Sequence, residues 1–291
     1  MSTPPPPPEG GPYGPGPDGP PPGALPQWGA HPQPGHPRGG APVQDPLVAT
    51  SFSDWWSKVI GVLARSWRTL LLIQLATVVP GLVVSTVVTA TADSRSTVVS
   101  TGGLVLGLVG GLIVFVVALL AQGASVYVVG KQASGEEIGA GPALGFAVGR
   151  ALPLLGWGIV AGLLLFVGFL LLVVPGLYLL VVFGATLTGV IMFEKAGIGR
   201  TFQLVNPAFG QTLGRLLSFG IAAFVYAAIA GAVARAIAGP DGFASDILAN
   251  LLTLPVTFAS VGVAVVTYAG LRNRENPAVT TPVLAAELDR P

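Results

Sequence analysis

The stretch LLVVPGLYLL (Leu171–Leu180) lies within an unbroken uncharged run. From Ala151 to Phe193, 43 residues pass without an Asp, Glu, Lys or Arg. As one helix this run would be about 65 Å long, about twice the hydrocarbon core of a bilayer. Pro175 lacks an amide donor and clashes with the preceding turn, and Gly176 is conformationally permissive. The run therefore divides into two crossings, 151–174 and 176–193. Pro175 and Gly176 are expected to form the turn of a helical hairpin near the far membrane surface.

Four further apolar segments flank this hairpin. They run from about Thr69 to Thr89, Leu104 to Val129, Arg215 to Ala236 and Ile247 to Leu271. The fold class is thus all-α, a polytopic membrane protein with six transmembrane helices and short interfacial helices. Composition agrees: 52% of the 291 residues are hydrophobic and 9% charged, against about 25% charged in soluble domains. Pro80, in VVPGL, is read as a kink inside the first span, with a half-spanning loop as the alternative.

Residues 1–48 differ in kind. Seventeen of the 27 prolines precede position 47, with glycine dense between them. Such a segment has little apolar surface to offset its ordering entropy, and is expected to be a disordered tail of polyproline-II character. It is a candidate ligand for a proline-binding protein partner. The N-terminus, MSTPPPPPEGG, carries no basic start and no apolar run of a secretory signal, so the first span is expected to start insertion. The domain division is then 1–48 tail, 49–271 membrane domain and 272–291 short C-terminal tail.

Basic residues fix the expected orientation. Lys58, Arg65, Arg68, Lys131, Arg150, Lys195, Arg200, Arg215, Arg272 and Arg274 fall on the N-terminal side of the six spans, and Arg95 and Arg235 on the other. Ten against two places both termini in the cytoplasm by the positive-inside rule. In TSFSDWWSKVIGVLARSWRTLL, Ser51 and Asp54 have capping-box spacing. Trp55, Trp56, Lys58, Arg65, Trp67 and Arg68 are read as anchors at the membrane interface, on a surface helix that turns into the first span. Arg235 is a candidate headgroup contact.

Glycines at four-residue spacing suit close helix approach in lipid. Gly103, Gly107 and Gly111 form one such row, Gly158 and Gly162 another. Gln74, Gln122, Asn250, Thr253 and Thr257 are the polar residues within spans. They serve interhelical hydrogen bonding or line a substrate route. Three stretches, GVLARSWRTLLL, GFAVGRALPLLG and FGQTLGRLLSFG, each precede an apolar pair and suggest three units of one surface helix plus two spans.

The run LLLVVPGLYLLVVFGAT (170–186), the following FEKAGIGRTFQLV (193–205) and then a fresh span resemble the membrane domain found with glycerophosphoryl diester phosphodiesterases and related bacterial families. The resemblance covers about residues 52–271. It implies a helical membrane domain. The catalytic part of such proteins, with its acidic and His metal-site residues, has no counterpart here, so no activity is carried over.

Chemistry is excluded by what the chain lacks. It has no cysteine, and its two histidines, His31 and His36, both lie in the tail. Thiolate, serine–histidine and histidine–zinc catalysis are thereby unsupported. Glu136 and Glu137 are read as solvated loop charges. No catalytic, cofactor-binding or metal residue is assigned, and no nucleic-acid partner. The expectation is a non-enzymatic membrane protein, a scaffold or partner subunit in contact with membrane lipids. The alternative is a carrier for lipids or other amphipaths. Oligomeric state is left open.

Overall fold

The computed structural model describes residues 45–91, 101–239 and 242–290, without side chains at 85–91, 101 and 243. The tail up to residue 44, Asp93, Arg95 and Asp241 lie outside the described residues. The chain divides into Met1–Val43 and Gln44–Pro291. The second unit is all-α, with no strand among the described residues. Its helices are α1 (Phe52–Thr91), α2 (Thr101–Ala133), α3 (Ala140–Gly149), α4 (Ala151–Leu171), α5 (Val173–Gly189), α6 (Ile198–Val205), α7 (Phe209–Ala238), α8 (Phe243–Glu275) and α9 (Thr281–Asp289). Six helical stretches, carried by α1, α2, α4, α5, α7 and α8, are long and apolar enough to cross a membrane.

α1 runs unbroken through Pro80, so the proline lies inside the first span and does not end a half-span. The expected surface helix is the first half of this same α1. It packs on α8, where a Cβ on Gly262 would meet Val62 Cγ1 at 3.4 Å. α3 and α6 are separate short helices, preceding the α4–α5 and α7–α8 pairs respectively.

The hairpin turn falls three residues before the expected Pro175. Leu172 alone leaves helical geometry (φ −160°, ψ 146°) between α4 and α5. Pro175 then sits in the first turn of α5, where a missing amide costs no helical bond. Gly176 serves close approach instead: a Cβ there would meet Phe169 Cδ1 at 2.5 Å, and one on Gly168 would meet Gly176 Cα at 3.2 Å.

α5 and the second half of α8 form the centre. Residues 261–269 are buried without a break, and Gly189 of α5 lies against the Tyr268 ring, which stacks on Phe193 at 5.2 Å. A π-helical turn, Val190–Glu194, closes α5. The outward faces are apolar: Leu163, Phe166 and Leu170 of α4 and Leu217, Ile221, Phe224 and Ile229 of α7 are all exposed. Faces of this size are stable in hydrocarbon and not in water.

The C-terminal segment packs into the domain. Leu284 and Leu288 of α9 are fully buried. Asp45 accepts from Thr281 N at 2.7 Å and Thr281 Oγ1 at 2.5 Å, and from Leu47 N and Val48 N at 2.9 and 2.8 Å. Thus the two ends of the domain meet at one end of the bundle. Burial pushes the Asp45 carboxyl up, but the bonds from Thr281, Val48 and Leu47 outweigh it and hold the carboxyl below its ordinary 3.8.

Candidate functional site

Two helices that each contain a proline, α1 with Pro80 and α8 with Pro255, enclose a half-open cavity of about 340 Å³. Proline removes the donor for the carbonyl four residues earlier, so Ala76 and Leu251 lack their helical partners. Polar groups in a span need partners or water. Around the cavity lie Gln74, Thr77, Asn250, Thr253 and Thr257, with Asp246 the one ionisable residue among the described lining residues. Thr77 Oγ1 donates to Gln74 O at 2.7 Å, Thr253 Oγ1 to Ala249 O at 3.0 Å, and Asn250 Nδ2 to Asp246 O at 2.9 Å. These bonds are local to each helix. They leave the facing surfaces of α1 and α8 polar but not bonded to one another through these groups.

Of the five intraspan polar residues singled out in the sequence, the fold brings Gln74, Asn250, Thr253 and Thr257 to this one groove, and leaves Gln122 elsewhere. The spacing of Gln74 and Thr77, one turn apart on α1, was a signal for it. Their partnership with α8, more than 150 positions on, was not readable locally.

The opposite end of the bundle carries a compensated charge network. Glu194, aimed by the π-turn, accepts from Arg200 Nε at 2.6 Å and Tyr268 OH at 3.1 Å, and pairs with Arg272 Nη1 at 3.0 Å. Arg272 also donates to Glu287 of α9 at 2.9 Å, and Arg200 grips Glu275 with both terminal nitrogens. Lys131 joins Glu136 at 3.0 Å to Asp289 at 2.7 Å. Arg150 donates to Met192 O at 2.8 Å, and Lys195 to Arg290 O at 2.8 Å. Each cation has a matched acceptor, so the network fastens α9 to α2, α8 and the π-turn.

The anticipated interface anchors divide. Trp55 is fully buried and donates from Nε1 to Thr267 Oγ1 at 3.0 Å, with the Arg215 guanidinium 5.9 Å over its ring. It is therefore a core residue and not a lipid-facing anchor. Lys58 is buried too, paired with Asp54 at 3.4 Å and donating to Asp45 O at 2.5 Å. Trp56 is half-buried against the core. Trp67 is 46% exposed, with Arg68 5.4 Å over its ring. Arg235 is exposed on the last turn of α7.

The glycine rows behave unevenly. A Cβ on Gly158 would meet Leu119 Cδ1 at 2.7 Å, which makes it a close approach of α4 to α2. Gly107, Gly111 and Gly162 face open space. The tight point on the first half of α2 is Gly110, against Val84. Gly103 is engaged within the protein. Among the described residues no group of three or more His, Asp or Glu is placed to hold a metal ion.

The class of protein is settled by this fold: an integral, all-helical membrane protein. No family model, curated protein or solved structure matches the chain.

Proposed function

We propose that the protein is a carrier-type module of the cytoplasmic membrane, with both ends in the cytoplasm, and that it accommodates the polar part of an amphipathic molecule between α1 and α8. The observation that carries this reading is the convergence of Gln74, Thr77, Asn250, Thr253 and Thr257 on one cavity within the spanning segments. About 340 Å³ is at the small end of ligand sites and fits a headgroup, not a whole lipid. The chain of the amphipath then lies along the exposed apolar faces outside. Amides and hydroxyls bind uncharged polar groups, and Asp246 at the rim favours a cationic substituent over an anionic one.

The test is transbilayer movement of a fluorescent phosphatidylcholine in liposomes containing the purified protein. The wild type accelerates movement several-fold over empty liposomes, and Asn250→Leu with Thr253→Val abolishes the gain. No gain by the wild type refutes the reading. The scaffold alternative rests on the Pro-rich tail, which lies outside the described residues. It predicts a co-purifying protein lost on deletion of residues 1–48.

A further inference from the structure

A second cavity lies on the charged half of α1 and shares no residue with the groove. Its volume is about 630 Å³, and it is bounded by Arg65, Arg68 and Thr69 of α1, Gln132 of α2, and the loop 135–139. Of the ten cations that flank the spans on this side, Arg290 of the C-terminal segment apart, eight are accounted for. Lys58, Lys131, Arg200 and Arg272 pair with carboxylates. Arg150, Lys195 and Arg274 donate to oxygens of carbonyl or amide groups. Arg215 is buried over Trp55. Arg65 and Arg68 are the remaining two, both exposed and both without an oxygen partner among the described residues.

They are three residues apart, so they are neighbours on one face of the helix. Both line the same cavity. Two arginines lining one cleft suit a phosphate, which each guanidinium can grip with two parallel N–H groups. The acidic side of the cleft is asymmetric. Glu136 is engaged, with both oxygens on Lys131 at 3.0 and 3.1 Å. Glu137 is exposed, and no cation pairs with it among the described residues. Gln132 spends its amide hydrogens on Thr69 Oγ1 and Ile138 O, both at 3.2 Å, and its Oε1 is buried without a donor. Among the described residues the cleft thus offers two cations without an oxygen partner, one carboxylate without a cation and an unsatisfied acceptor. It also sits where α1 passes from its charged half to the apolar stretch beginning at Thr69, beside the exposed Trp67.

We propose that this cleft binds a phosphate-bearing group that also carries an amine, with Arg65 and Arg68 on the phosphate and Glu137 on the ammonium. Lys131, held by Glu136 and Asp289, braces the loop wall of the site. The chemistry is that of a phosphoethanolamine group, supplied by a membrane lipid or by its soluble counterpart.

The experiment is native mass spectrometry of the full-length protein in detergent. The probes are phosphatidylethanolamine, phosphatidylglycerol, soluble glycerophosphoethanolamine and inorganic phosphate. The wild type retains phosphatidylethanolamine at least threefold more tightly than phosphatidylglycerol. Arg65→Gln with Arg68→Gln weakens binding of both lipids tenfold or more, and Glu137→Gln removes the preference between them. Soluble glycerophosphoethanolamine binding as tightly as the lipid assigns the site to a soluble ligand of the same chemistry. Weak binding of it assigns the site to the membrane. Gel filtration confirms folding. If the double variant loses its folded peak, Arg68→Gln alone carries the test with a threefold loss. Unchanged lipid retention in a folded arginine variant overturns the proposal, as does an unchanged preference in Glu137→Gln. Transbilayer movement of phosphatidylcholine, which reads the groove between α1 and α8, is a separate measurement, so failure of the carrier reading is separable from failure of this one.

Discussion

Replacing Trp55 with Ala removes a large, fully buried side chain from the junction of α1 and α8. Truncating a buried aromatic costs about 3–5 kcal/mol. Thr267, itself fully buried, is left without its indole donor, which adds about 1 kcal/mol. Arg215, also buried, loses the ring beneath it. Trp55→Phe retains most of the packing and isolates the hydrogen bond, so about 1 kcal/mol is expected. Trp67→Ala is the control. Trp67 lies on the same helix but is 46% exposed, and its loss costs under about 1 kcal/mol. The assay is unfolding of the purified protein in mixed micelles, followed by helicity and by gel filtration. Trp55→Ala lowers the midpoint by on the order of 10 °C, and Trp67→Ala barely moves it. If Trp67→Ala is the more damaging change, Trp55 is an interface anchor and the assignment of α1 against α8 fails.

Other expectations follow from the same packing. Gly158→Leu and Gly110→Leu overpack contacts with Leu119 and Val84 and cost about 1–3 kcal/mol each. A Cβ on Gly107 meets no protein atom within 4 Å, so loss of assembly on a native gel by a folded Gly107→Leu marks a contact between copies. Because the Asp45 carboxyl is held below 3.8 in the folded state, its stabilising effect is present above that value and is lost as pH falls through the lowered value. Protection of α9 amides from hydrogen exchange, referenced to the intrinsic rate at each pH, therefore falls on acidification below about pH 4, and Asp45→Asn flattens this dependence. Glu194→Gln weakens the charged anchoring of Arg200 and Arg272 together. Limited proteolysis should then release α9 faster, while the six spans stay intact.

The spans were legible because a long charge-free run is comfortable in hydrocarbon and in little else, and because length limits how many residues cross once. The hairpin was legible for the same reason, but its position was not. Proline marks a helix start as readily as a break, so Pro175 pointed to a turn that lies at Leu172. Trp55 misled because a buried tryptophan and an interfacial one look alike in sequence, and its partner Thr267 is 212 positions away. The groove was half legible. Its amides and hydroxyls were evident, and the pairing of α1 with α8 that gathers them was not. The docking of α9 was not legible at all, since TPVLAAELD is short, and its charged partners, Arg272 and Lys131, belong to other helices.

The central claim is a six-span domain whose two ends meet on one side, with the α4–α5 turn on the other. The chain has no cysteine, so single cysteines report position directly. Leu172→Cys and Asn276→Cys should be treated in intact cells with a membrane-impermeant maleimide. Labelling of position 172 in intact cells, and of position 276 only after lysis, is the predicted result. Labelling of both positions from outside, or of 276 alone, contradicts it.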